Sequence, residues 1–152
     1  SYVTRESVLF LLWNDASDKR AVLESAKAQW EEMNSSLDMA WIVLALNSAG
    51  YTNEELLPLL VRLQAYTGSE YSTETRTASF DYLINLDAMS QQNYTDLMNA
   101  CLHHVWRFYE NARGILKAQY KKENGQFFID QSLGNFDTKS QERLKRVLGW
   151  NK

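Results

Sequence analysis

A chain of 152 residues fits one domain, and a domain of that size buries roughly 70% of the surface its unfolded form exposes. Hydrophobic residues at 45% and aromatics at 12% exclude disorder as the default state, while only 6 Gly and 1 Pro argue against a turn-rich all-β fold. The net charge of −3 divides into 6 Lys/Arg against 14 Asp/Glu over residues 1–104 and 10 against 5 over residues 105–152, too diluted by acids for a nucleic-acid surface. Two halves of opposite sign are instead expected to pack on one another or on a partner domain. The single Cys101 cannot form an internal disulfide, which removes the small disulfide-stapled class. No run approaches 18 apolar residues, so no membrane span is expected, and no signal-peptide pattern opens the chain. Because the chain starts at a serine, it is read as processed or as a piece excised from something longer.

Helix-start signals recur along the chain. Thr4 precedes "RESVLFLLW", Ser17 precedes a stripe of Val22, Leu23, Ala26, Trp30 and Met33, and Ser35 or Ser36 opens the nearly all-apolar "LDMAWIVLALNSA". Gly50 ends that helix in a left-handed turn. Thr52 and Glu55 form a T-x-x-E capping box, and Pro58 beyond it predicts a kink or a late start. After the loop "TGSEYST", Ser72 or Thr73 begins "ETRTASFDYLINL", and Ser90 caps a stretch so long that a break is expected near His103 and His104 or at Gly114. "QFFI" is the only strand-like fragment, and Thr138 with Gln141 makes a capping box for a last helix ending near Leu148. Starts near 4, 17, 36, 52, 73 and 90 pair into hairpins of roughly 32 to 38 residues, the period of stacked helical repeats. The expectation is therefore one all-α domain over residues 1–152, built as stacked antiparallel helix pairs in an irregular HEAT- or armadillo-like superhelix. An ordinary helical bundle is the structural alternative.

The candidates for chemistry are few. His103 and His104 are adjacent, about 100° apart around a helix axis, whereas a zinc pair on one helix needs spacing i, i+4. Leu97, Cys101, Leu102, Val105, Trp106 and Tyr109 follow a buried-face pattern, which makes Cys101 a buried thiol and the histidines flanking packing residues. Trp30 and Trp41 sit in apolar registers as well. Glu31–Glu32 and Glu54–Glu55 face different ways as neighbours on a helix, so a solvated face or a cap explains them. The sequons at Asn34 and Asn93 lie at helix starts, where Ser and Asn belong anyway. Metal binding and acid–base catalysis therefore have no visible site in the residues themselves.

The block "TRTASFDYLINLDAMSQQNYTDLMNACLHHVWRFYENARGILKAQY", Thr75 to Tyr120, resembles the C-terminal helical domain of zinc aminopeptidases related to aminopeptidase N, particularly bacterial ones. The shared features are a helix ending in "LINLDAMS", the stretch "NYTDLMNACLHHVWRFYENAR" after it, and short helical pairs before it. In that family the zinc is held in a separate catalytic domain by an H-E-x-x-H helix and a downstream glutamate, and neither motif occurs here. The resemblance implies no cofactor in this chain, zinc in the parent's catalytic domain, and helices that curve over that domain to enclose a peptide chamber. The implied partners are the catalytic domain of the same polypeptide and a peptide substrate. The implied setting is a soluble protein of the bacterial cytoplasm or periplasm. No functional residue of the family carries over, because the matching positions are packing positions.

Two functional readings follow. The first is a non-catalytic fragment of a zinc aminopeptidase that shapes substrate access; the second is a HEAT-like scaffold module that binds a protein or peptide. A small all-α enzyme using His103 or His104 is the weakest. Arg107, Arg113, Lys117 and Lys121 recur at spacings of 6, 4 and 4, placing the last three on one face and Arg107 about 120° from Arg113. Arg113 and Lys117 are the candidate substrate-access residues: a positive wall able to attract a peptide carboxylate, with a plain solvated face as the alternative.

Overall fold

The computed structural model describes residues 50–102 and 106–150. The helices expected near residues 4, 17 and 36, Trp30, Trp41, the pair Glu31–Glu32, the sequon at Asn34, and His103 and His104 lie outside the described residues. Those described are all-α, in six helices: α1 Leu57–Gln64, followed by a 3-10 turn Ala65–Thr67, α2 Thr73–Asn85, α3 Gln91–Ala100, α4 Trp106–Tyr120, α5 Glu123–Leu133 and α6 Thr138–Val147.

Local chemistry explains most boundaries. Gly50 has φ +100°, the left-handed conformation read from its position after "NSA". The Thr52–Glu55 box forms: the Thr52 N–H donates to Glu55 Oε2 at 2.9 Å, and the Glu55 N–H donates to Thr52 Oγ1 at 3.2 Å. The helix proper starts late, at Leu57, with Pro58 in its first turn, where a missing N–H costs nothing. Ser72 caps α2 by accepting from the Thr75 N–H, and Ser90 and Asn93 make a reciprocal capping box for α3. The long stretch after Ser90 breaks at Cys101, the C-cap of α3, while α4 runs unbroken through Gly114.

Two expectations are corrected. "QFFI" is not strand: it lies inside α5, Glu123–Leu133, where Gly125, Ile129, Ser132 and Leu133 form the buried face at helical spacing. Tertiary packing on that face overrides the local β preference of Phe and Ile. The last helix is capped one residue earlier than expected, by Asp137 accepting from the Ser140 N–H, and the Gln141 Nε2 instead donates to the Phe136 carbonyl at 2.8 Å.

Helices α2 and α6 close with the same device, a left-handed residue just past the C-cap. After α2 the Ala88 N–H bonds the Leu83 carbonyl and the Asp87 N–H bonds the Ile84 carbonyl. After α6 the Trp150 and Gly149 N–H groups bond Lys145 and Arg146 in the same way. Gly149, at φ +79°, takes this conformation without penalty, whereas Asp87 takes it at φ 51° as a non-glycine residue.

A continuous apolar core runs from Phe80 of α2 through Tyr94, Leu97 and Met98 of α3 to Phe108, Ala112 and Leu116 of α4, and on to Ile129, Leu133, Leu144 and Val147. Helix α3 lies at its centre and packs on both α4 and α5. Its buried set, which also takes in Asn93, Ala100 and Cys101, covers far more than one stripe. Gly125 lets the start of α5 approach the end of α4: a Cβ there would collide with the Gln119 carbonyl. Helix α1 and its N-cap contribute Leu56, Leu60 and Leu63 inward and leave Leu57 and Val61 exposed on the other side.

Candidate functional site

Two polar features stand out against this core, and neither is centred on the basic stripe. The first is a buried clamp at the junction of α1, α2 and α3. The Asn93 side chain, fully buried, donates from Nδ2 to the Gln64 carbonyl at 2.8 Å and to Thr67 Oγ1 at 2.7 Å. Its Oδ1 accepts from the Ser90 N–H at 2.9 Å and the Ser90 hydroxyl at 2.8 Å. Only this amide orientation matches donors to acceptors, because the Ser90 N–H requires an acceptor and the Gln64 carbonyl a donor. Thr67, also fully buried, passes the chain on by donating to Asp96 Oδ2 at 2.7 Å.

Arg76 completes the clamp from α2. It is 4% exposed; its Nε donates to the Thr67 carbonyl at 2.9 Å, and its guanidinium lies 4.6 Å from the centre of the Phe108 ring. Burial pulls the guanidinium below its ordinary value, and the negative charges of Asp96 and then Glu70 oppose that pull. An arginine remains charged in any such setting, so the clamp is a cation held by the backbone carbonyls of Thr67 and Asp96 and by an aromatic face, in the field of the Asp96 and Glu70 carboxylates. A second set of side-chain bonds ties α3 to α4 and α5. The Tyr94 hydroxyl donates to Gln119 Oε1 at 3.0 Å, Gln91 Nε2 donates to the Phe128 carbonyl at 2.9 Å and to Ser132, and Tyr94 stacks on Phe128. All of these groups are engaged with one another, which makes them positioning groups rather than reactive ones.

The second feature is a cleft of about 450 Å³ between α2 and α4, lined by Glu74, Thr77 and Asp81 on one wall and Arg107 and Asn111 on the other, with Phe108 at its base. Burial pushes the Asp81 carboxyl up from its ordinary range. A smaller cleft of about 320 Å³ lies by Tyr94, Gln119, Lys122 and Gly125.

The residues singled out from the sequence are placed as follows. Cys101 is 1% exposed, and burial pushes its thiol up to about 12, with Arg113 opposing weakly. A thiol in that state is no nucleophile at neutral pH. Arg113 is partly exposed, with Nη1 3.5 Å from Glu110 Oε1 and its guanidinium 4.9 Å from the Tyr109 ring centre, while its Nε is buried without a hydrogen-bond partner. Lys117 is exposed one turn further on. The basic residue that the fold brings to the large cleft is Arg107, on a different side of α4. Glu55 is used as a cap and is not paired with Glu54 for chemistry. Among the described residues, no group of three or more His, Cys, Asp or Glu is arranged to hold a metal ion, and no helix is long and apolar enough to cross a membrane.

Sequence reading missed the clamp. Its signal was a charged residue, Arg76, at spacing 4 and 7 from Phe80 and Leu83 in an otherwise apolar stripe, and Asn93 at the third position after a serine cap. Compared with protein-family models, with curated proteins and with solved structures, the chain matches none.

Proposed function

We propose that this chain serves as a non-catalytic helical domain of a zinc aminopeptidase, in which stacked helix pairs of HEAT-like kind shape the approach of a peptide to a catalytic domain on the same polypeptide. The observation that supports this reading is the satisfied polar clamp of Asn93, Thr67, Arg76 and Asp96. It commits Thr67 of the 3-10 turn, Arg76 of α2 and Asn93 and Asp96 of α3 to holding short helices at fixed angles, as a wall requires, and leaves none of them free for bond cleavage. The segment it organises is the one that resembles the aminopeptidase helical domain, Thr75 to Tyr120. On this reading zinc and the bond-breaking groups belong to the catalytic domain, and Arg113 and Lys117 help to attract the carboxylate end of a substrate.

The reading frame that encodes the chain is the first test. An upstream H-E-x-x-H with a glutamate on a later helix supports the proposal, and a frame that carries only further helical pairs refutes it. In the parent enzyme a double Arg113→Ala, Lys117→Ala change raises KM for longer peptides and leaves turnover of a dipeptide-sized reporter nearly unchanged. The effect shrinks with added salt, since exposed charges are screened over about 10 Å at 0.1 M. A second reading, a HEAT-like scaffold that binds another protein, is favoured by Leu57 and Val61, which stand 56% and 55% exposed one turn apart on α1.

A further inference from the structure

The cleft between α2 and α4 has an uncommon arrangement of charge. Glu74, Thr77 and Asp81 recur at spacings of 3 and 4, so α2 presents them along one side, and Arg107 and Asn111 stand one turn apart on α4. Opposite charges that share a cleft ordinarily pair with each other. Here neither Glu74, Asp81 nor Arg107 makes an ion pair or side-chain hydrogen bond with another described residue. Asp81 stands at the exposed rim of the cleft, and such burial as it has pushes its carboxyl up with no cation among the described residues to offset it. The base is apolar: Phe108 is 4% exposed, and Ala78 adjoins it.

Low-dielectric walls strengthen the field of charges that line a cleft. A ligand with an ammonium at one end and a carboxylate at the other matches that field. The ammonium supplies Asp81 with a counter-charge that none of the described residues gives it, and the carboxylate accepts two N–H bonds from the Arg107 fork. The volume of about 450 Å³ is that of an ordinary small-molecule site. We propose that this cleft binds the zwitterion of a free amino acid or a short peptide, with Asp81 and Glu74 receiving the ammonium, Arg107 the carboxylate and Phe108 the apolar side chain. The assignment stands on the cleft alone, so it holds or fails independently of the aminopeptidase reading.

The test is an NMR titration of the full 152-residue chain, isotopically labelled, with valine, the dipeptide Ala-Val, its N-acetyl derivative and its C-terminal amide. Saturable shifts confined to the amides of Thr73–Asp81 and Arg107–Asn111 are expected with valine or Ala-Val, and comparison of the two shows whether the free amino acid or the peptide fits. Each cap weakens binding about tenfold. Asp81→Asn reproduces the loss caused by the acetyl cap and adds nothing to it, and Arg107→Gln does the same for the amide. Both residues are exposed, so the variants keep the wild-type spectrum, which the same experiment verifies. No saturable shift up to about 10 mM, a weak limit for ligands of this size, overturns the assignment. So do capped probes that bind as well as free ones, or shifts that map elsewhere.

Discussion

Replacing Asn93 by alanine tests the clamp most directly. The change deletes four side-chain hydrogen bonds, two accepted from Ser90 and two donated to Gln64 and Thr67. At roughly 1 kcal/mol net for each, less what water recovers at the part-buried Ser90 end, the loss is about 3 kcal/mol. Part of this is the capping box of α3, itself worth about 1 kcal/mol. Equilibrium urea unfolding followed by circular dichroism measures the difference, and the corresponding thermal shift is about 6–12 °C for a chain of this length. Asn93→Asp is the sharper variant, because it keeps the acceptor facing Ser90 but turns an oxygen toward the Gln64 carbonyl. It also forces the Thr67 hydroxyl to choose between two carboxylates, its own partner Asp96 and the new one. The aspartate variant is therefore expected to be at least as unstable as the alanine variant at pH 7. An aspartate variant within about 0.5 kcal/mol of wild type would refute the assigned network.

The other expectations are independent of the clamp. Gly125→Ala, which sets a methyl against the Gln119 carbonyl, costs about 1–3 kcal/mol in the same melts, whereas Gly114→Ala, with open space around it, gains about 0.5–1 kcal/mol. Asp87→Gly relieves a left-handed non-glycine at the end of α2 and raises stability by about 0.5–1 kcal/mol; a loss would mean that the aspartate side chain holds the turn. Cys101 gives a pH dependence: its folded thiol, at about 12, lies above its ordinary value of 9.0, so its contribution to stability is complete below pH 9 and is lost as pH rises toward 12. Cys101→Ala flattens that alkaline limb in pH-dependent melts, and the native thiol stays unreactive toward a disulfide reagent near pH 8 until the chain unfolds.

Local capping chemistry was legible because it depends on neighbours a few residues apart. The Thr52–Glu55 box, the Ser72 and Ser90 caps and the left-handed Gly50 all follow from side-chain oxygens and glycine at fixed offsets. "QFFI" misled because β propensity is settled by what a face packs against, and Ile129 packs into a core supplied by α3. Asp137 displaced Thr138 as the cap because either side chain has the required oxygen, and one residue of shift separates them. The clamp was illegible for a different reason. Thr67, Arg76, Asn93 and Asp96 are spread over 30 positions, and only tertiary structure brings the hydroxyl of a 3-10 turn under the amide of a later helix. The α2–α4 cleft is a relation between two helices for the same reason: Arg107 read only as part of a basic stripe until Asp81 stood opposite it.

The burial of Asn93 also carries a meaning in time. The residue heads an Asn-Tyr-Thr sequon, yet it is fully buried in the folded chain and its amide nitrogen is held by Gln64 and Thr67. Expressed through a secretory pathway, the same nitrogen faces two competing fates, capture by the glycosylation machinery or capture by its own fold. Once sugar is attached, α3 cannot dock, so the modified chain leaves the folding route for good. Glycan occupancy at Asn93 is then a stopwatch for the unfolded state: a variant found slower to fold should carry more of it by intact mass. Equal occupancy in fast- and slow-folding variants would show that the sugar is added before the race begins.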